Sequence, residues 1–201
     1  KPLTDTCPKP MLHVGDRPML QHLVERLAEQ GFHKFYFSTY YLSEVIRGHF
    51  GDGSKWDVEI TYVQEGAPLG TGGALSLLPA DLPKVPLIMV NGDVLTDLDF
   101  TTLLDFHLSN NFDVTMCLRE IEHQVPYGVV ESVGGRVAAM REKPTFQHNI
   151  NTGIYVVNNS IVKRIPKSLK IVGAFIHPAA FPQSITTFIS LSILILLLII
   201  D

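Results

Sequence analysis

Apolar residues recur at helical spacing over residues 18–30, where Leu20, Leu23, Val24 and Leu27 would share one face. Pro18 suits the first turn of that helix and Gly31 supplies its stop. Phe35 and Phe37 then alternate with polar neighbours, as a half-buried strand requires. A short helix is expected over 43–50, with Ser43 as its cap and Gly51-Asp52-Gly53 as its terminator. Val58, Ile60 and Tyr62 alternate with Glu59 and Thr61 and predict the next strand. A further helix is expected from near Gly72 through Leu75, Leu77 and Leu78 to Pro79.

Pro86-Leu87-Ile88-Met89-Val90 is different in kind: a short continuous apolar run that ends in Asn91-Gly92-Asp93. A strand apolar on both faces belongs in the middle of a sheet covered by helices. Asp99 would cap a helix over 100–109 that turns Phe100, Leu103, Leu104 and Leu108 to one side. Strands follow at about 113–118, 128–132, 136–141 and 153–157, with Gly134-Gly135 as a hairpin turn. The order is βαβαβ and then a strand-rich second half, which predicts a three-layer α/β fold with a mainly parallel sheet and a mixed edge.

Length and composition narrow the function. A chain of 201 residues can hold one domain with a substantial core and little more. A formal charge of -4 with scattered Lys and Arg gives no basic stripe, so a nucleic-acid surface has no support. Cys7 and Cys117 are far apart and in no metal-ligand spacing, which suits a reducing cytosol. The eight His residues show no paired zinc spacing, and no signal peptide is visible. Residues 188–200, FISLSILILLLII, are apolar but for two serines and fall short of the ~20 residues that span a bilayer. A buried segment or an artefact of truncation or reading frame is the favoured reading, since composition shifts abruptly after about Gly173. A tail anchor is the other.

Four motifs carry candidate chemistry. Asp93 directly follows the buried strand, where ligands of open α/β sheets bind, and it is either a Mg²⁺ ligand or a turn cap. Pro68-Leu69-Gly70-Thr71-Gly72-Gly73-Ala74 would let a ligand approach the backbone, or is an ordinary glycine-rich turn. Pro8-Lys9-Pro10 would hold an ammonium as a fixed charge for phosphate, or is a surface loop. Glu142-Lys143-Pro144 ends a strand, and a Glu–Lys neighbour pair is its plainer reading.

Taken in order, PLTDTCPKPML, GAPLGTGGAL, VNGDV, VPYGVV, REKP and NTGIYV make the chain resemble the sugar-1-phosphate nucleotidyltransferases. The likeness is to the glucose-1-phosphate thymidylyl and mannose-1-phosphate guanylyl type, over about residues 2–165. The wording of VPYGVVE is nearest the guanylyl branch, so GTP is favoured. The resemblance implies a Rossmann-like fold of the GT-A type and attack of a sugar 1-phosphate on the α-phosphorus of an NTP, with pyrophosphate leaving. It gives Lys9 to the nucleotide phosphates and Leu69, Gly70 and Thr71 to the base and ribose, with Gln64 also at the base. Asp93 becomes the Mg²⁺ ligand. Gly128 lines the sugar pocket, Glu142 accepts from sugar hydroxyls, Lys143 reaches the sugar phosphate, and Asn151 and Thr152 lie near the same sugar. Catalysis through Lys9, Asp93 and Lys143 is then positioning and charge neutralisation.

Two departures qualify that expectation. The family's G-G-x-G-T-R-L segment, which ends just before Pro2-Leu3-Thr4, is not in this chain. No second metal-binding Asp follows where the sequence turns apolar. The expected domain is therefore residues 1–173, incomplete at both ends, followed by an atypical tail over 174–201. A non-catalytic nucleotide-sugar-binding module stays open, and so does a GT-A glycosyltransferase using Asp97-Leu98-Asp99, although that triplet looks more like a helix cap. The expected setting is the cytoplasm, without a membrane. Members of the family often self-associate, so a homo-oligomer is one expected state.

Overall fold

The computed structural model describes residues 3–165 and 195–199. The chain starts with a 3-10 turn over Lys9–Met11 and a small antiparallel ribbon of β1 (His13–Val14) and β2 (Arg17–Pro18). It continues through α1 (Met19–Glu29), β3 (Lys34–Thr39), α2 (Ser43–Phe50), β4 (Glu59–Gln64), the one-turn α3 (Gly70–Gly73) and β5 (Leu87–Asn91). Then come α4 (Phe100–Ser109), β6 (Val114–Gln124), β7 (Val129–Val133), β8 (Arg136–Arg141), β9 (Thr145–Val157), α5 (Asn159–Val162) and β10 (Ile195–Ile199).

The main sheet runs β4-β3-β10-β5-β9-β6. The chain is α/β, but the sheet is not mainly parallel in the pairings it displays. β3 and β4 are parallel, whereas β10 is antiparallel to both β3 and β5, and β5 is antiparallel to β9. The apolar runs that predicted these strands report burial on both faces, and burial is blind to strand direction. Part of the apolar segment set aside as a tail, Ile195–Ile199, is itself a strand of this sheet. The rest of that segment, and with it most of the tail-anchor reading, lies outside the described residues. No helix among the described residues is long and apolar enough to cross a membrane.

Most of the core forms where the patterns place it, but Leu108, expected on the inner face of α4 with Phe100, Leu103 and Leu104, is exposed, and His107 is buried there in its stead. Leu20, Leu23, Val24 and Leu27 are the buried face of α1, and Leu87 through Val90 are fully buried. At about 1.5–3 kcal/mol per buried aliphatic or aromatic side chain, this is the main favourable term. Tyr155 and Val157 of β9 pack with Leu87 and Met89 of β5 in one cluster that also takes Leu75, Leu82 and Val162.

Three boundaries differ from expectation. Pro18 is the cap of α1 and not its first turn. Ser43 does not cap α2: Leu42 holds that position in the left-handed region at φ 50, and helical geometry begins at Ser43 itself. The helix expected from Gly72 begins at Gly70 and gives way after Gly73 to a 3-10 turn over Ala74–Leu77.

The described residues divide into two compact units, 3–116 with 153–165 and 195–199, and 117–152. The smaller unit holds the outer part of β6, the β7–β8 hairpin turning at Gly134-Gly135, and the first half of β9.

Candidate functional site

In the larger unit, Pro8 and Pro10 stiffen the turn that carries Lys9. Met11 N–H donates to the Pro8 carbonyl at 2.8 Å and Leu12 N–H to the Lys9 carbonyl at 3.1 Å. Pro10 and Met11 are buried and Lys9 is exposed, so the turn is anchored beneath its charged side chain. Lys9 Nζ donates to Asp93 Oδ2. Asp93 sits in the turn after β5, where Val94 N–H donates to the Asn91 carbonyl at 3.2 Å. Two motifs that are separate in sequence are one ion pair in space.

The loop beyond Asp93 is fixed from α1. Arg26 donates to the carbonyls of Asp97 and Leu98, and Gln30 Nε2 donates to the Leu98 carbonyl at 3.3 Å. Asp99 is spent as the cap of α4: its carboxylate accepts from Thr102 N–H at 2.9 Å and from the Thr101 hydroxyl at 2.6 Å. Those bonds, the Thr101 hydroxyl first, hold the Asp99 carboxyl below its usual range. A capping carboxylate of this kind makes a poor half of a D-x-D metal site.

Asn91 and Gly153 meet behind the Asp93 turn. Gly153 adopts φ +78, and a Cβ there would lie 2.5 Å from Asn91 Nδ2, so a side chain at 153 would require Asn91 to shift. Asn91 Oδ1 is buried without a hydrogen-bond partner among the described residues.

The glycine-rich turn begins at the end of β4. Gln64 is exposed there, and its side-chain oxygen accepts weakly from the Thr39 hydroxyl at 3.4 Å. Glu65, which no sequence motif marks, is the buried one, with 4% exposure. Its Oε1 accepts from the Ser38 hydroxyl at 2.7 Å and its Oε2 from Leu69 N–H at 3.0 Å. Gly70 follows at φ +74, a conformation that disfavours side chains, and Thr71 continues the one-turn α3. Nothing in the local pattern marks Glu65, because its burial depends on a residue 27 positions earlier.

The smaller unit collects the other expected residues. Gly128 faces Met140 and Glu142: a Cβ on it would lie 2.9 Å from Met140 Cε and 3.1 Å from Glu142 Oε2. Lys143 adopts φ 45, and its N–H donates to the Tyr127 carbonyl at 3.3 Å, while Val125 N–H donates to the Pro144 carbonyl at 3.0 Å. The two segments are thereby zipped together and leave Glu142 and Lys143 exposed. Thr152 donates through its hydroxyl to the Cys117 carbonyl at 2.9 Å, and Asn151 is exposed beside it. The expected nucleotide-side residues thus fall in the larger unit and the expected sugar-side residues in the smaller one.

Among the described residues no cluster of three or more His, Cys, Asp or Glu is assembled. Asp93 nevertheless suits a hard divalent cation. It is a partly exposed carboxylate, about 15% by side chain, just past the end of the interior strand β5 and beside an ammonium that balances its charge. Mg²⁺ asks a protein for one or two carboxylates and takes its remaining oxygens from phosphate and water.

The chain is similar to known proteins over most of its length. The family model described as nucleotidyl transferase matches residues 1–174. A mannose-1-phosphate guanylyltransferase of Mycobacterium tuberculosis is 39% identical over 176 residues, which are 85% of this chain and 48% of that protein. A mannose-1-phosphate guanyltransferase of Yarrowia lipolytica is 36% identical over 172 residues, covering 82% of this chain and 47% of that one. The crystal structure of HddC from Yersinia pseudotuberculosis superposes with a TM-score of 0.66 at 25% identity, covering 85% of this chain and 76% of HddC. The chain spans about half the length of the curated relatives it matches.

Proposed function

The chain belongs to the nucleotidyl transferase family, and from that membership we propose the reaction: transfer of a nucleotidyl group from an NTP to a sugar 1-phosphate, giving an NDP-sugar and pyrophosphate. GTP is the favoured donor and mannose 1-phosphate the favoured acceptor, because relatives named for that pair match most of this chain. The working unit is residues 1–173, in a Rossmann-like, three-layer α/β/α frame of the GT-A type, acting in the cytoplasm. The observation that carries the reading is the Lys9–Asp93 pair, which joins the motif expected at the phosphates to the motif expected at the metal.

A sugar-phosphate oxygen attacks the α-phosphorus in line, and the bond to pyrophosphate breaks. No covalent enzyme intermediate is required, so the residues act by position and charge. Lys9 binds the triphosphate, and the Leu69-Gly70-Thr71 turn lies against base and ribose, where Gly70 leaves room, with Gln64 at its edge. Glu142 accepts from sugar hydroxyls on the floor left open by Gly128, Lys143 binds the sugar phosphate, and Asn151 and Thr152 border the sugar. Mg²⁺ would be held by Asp93 and would offset negative charge on the phosphates.

The test is product identity. The full-length protein, incubated with Mg²⁺, each of four NTPs and a panel of hexose 1-phosphates, should yield one NDP-sugar by mass. Consumption of a nucleotide sugar with transfer of its sugar would point instead to a glycosyltransferase.

A further inference from the structure

Burying a carboxylate without a cation costs several kcal/mol unless hydrogen bonds replace its water. Glu65 accepts that cost at the hinge of the glycine-rich turn. Its described partners are two neutral donors, the Ser38 hydroxyl at 2.7 Å and Leu69 N–H at 3.0 Å, and neither belongs to β4, the strand that Glu65 follows. Ser38 is fully buried near the end of β3, and Glu65 N–H donates to the carbonyl of the next β3 residue, Thr39, at 3.0 Å. One oxygen of the carboxylate therefore grips the sheet and the other grips the first residue of the turn. Between Glu65 and Leu69 the chain runs out through Gly66, Ala67 and Pro68, all exposed, and returns at buried Gly70. That excursion has little packing of its own, and hydrogen bonds to an ionised acceptor are about twice as strong as neutral ones.

We propose that Glu65 is the positioning residue of the nucleotide pocket: its carboxylate, braced by Ser38, clamps Leu69 N–H and so presets the Leu69–Gly70 turn against which base and ribose bind. This rests on the nucleotide assignment made above. Glu65 acts through the turn, and its burial keeps it from the reacting atoms. An apolar residue of similar volume would fill the space at lower cost, but it would leave the half-buried Leu69 amide without its carboxylate partner and the turn free to sample other conformations. Glutamine can mimic the clamp. Its oxygen can accept from Leu69 N–H while its amide donates to the Ser38 oxygen, since a hydroxyl both donates and accepts.

The test uses the full-length protein with mant-GTP as the nucleotide probe. Glu65→Ala should raise the Kd for mant-GTP by roughly tenfold or more, the size expected for losing a charged hydrogen bond at a binding turn. The KM for the sugar 1-phosphate should stay within about twofold, and Glu65→Gln should recover most of the affinity. Amide exchange should show Leu69 losing protection in the alanine variant and regaining it in the glutamine variant. If Glu65→Ala does not fold, Ser38→Ala carries the test, with an expected rise of about threefold in Kd from the loss of a single neutral contact. Nucleotide affinity unchanged in a folded Glu65→Ala, or both substrates weakened alike with no rescue by glutamine, would overturn the proposal. A wild-type protein that binds no NTP would instead overturn the nucleotide assignment, and this inference with it.

Discussion

Lys9 Nζ donates to Asp93 Oδ2, and so a 3-10 turn near the start of the chain is tied to the rim of the sheet 84 residues later. An exposed ion pair of this kind adds little to stability, typically ~0–1 kcal/mol, because water screens it and two side chains lose freedom to form it. Its value lies in what each partner can exchange it for. In the proposed reaction the ammonium would turn to phosphate and the carboxylate to a cation, without either being stranded in an apolar environment. Lys9→Met should therefore raise the NTP KM by about tenfold with the melting temperature within a degree or two of wild type. Loss of the fold in that variant would mean the pair is structural.

The contact between Asn91 and Gly153 gives a stability prediction that can be isolated. Gly15 and Gly153 both sit at positive φ, +70 and +78, but a Cβ at Gly15 meets nothing within 4 Å. Gly15→Ala should lose only the backbone term, about 1 kcal/mol. Gly153→Ala adds overlap with Asn91 and should lose a further ~1–3 kcal/mol. Denaturant midpoints at constant m-value would compare them, and equal losses would mean that Asn91 gives way freely.

Gly128 predicts the opposite pattern. The nearest atoms to an added Cβ are the far end of Met140 and a Glu142 carboxylate oxygen, and both can move. Gly128→Ala should leave stability within about 1 kcal/mol of wild type. It should raise the sugar 1-phosphate KM by roughly tenfold while nucleotide affinity holds, because what moves is the carboxylate proposed to accept from sugar hydroxyls. Steady-state kinetics with each substrate varied in turn would check this.

His49 sets a pH dependence. Burial, with Lys55 and His13 adding repulsion, pushes its imidazole below the ordinary value. It packs near Trp56 and pairs with Gln21 Oε1 at 2.8 Å. The unfolded chain then binds the proton more readily, so stability is full above the usual histidine value of about 6.5 and is lost as pH falls through it toward the folded value. The melting temperature should drop between pH 7.5 and 5.5, and His49→Gln should flatten part of that drop. An unchanged slope would assign the effect to other histidines.

How much of this was legible in the sequence depends on the range of the interaction. The face of α1, the buried run of β5 and the Asp99 cap follow from spacings of a few residues, and the structure realises each. Strand direction was not legible, because Leu87–Val90 would read the same beside a parallel or an antiparallel neighbour. Neither was the cap of α2, which depends on Leu42 entering a conformation that its side chain disfavours. In the candidate site, Lys9, Gly70, Asp93, Gly128, Glu142 and Lys143 were marked by motif, but Glu65 and the Asn91–Gly153 contact were not. Both exist only once distant strands are paired.

Pyrophosphate release from GTP and mannose 1-phosphate by the full-length protein, measured with Mg²⁺ or EDTA and with Asp93→Asn in parallel, decides whether nucleotidyl transfer is the activity. Mg²⁺-dependent release by the wild type is expected, with a loss of about 10²–10³-fold in the folded variant, the size seen when one preorganised electrostatic group is removed. Absence of release from any NTP and hexose 1-phosphate, alongside tight binding of a nucleotide sugar, would contradict it and leave a binding module.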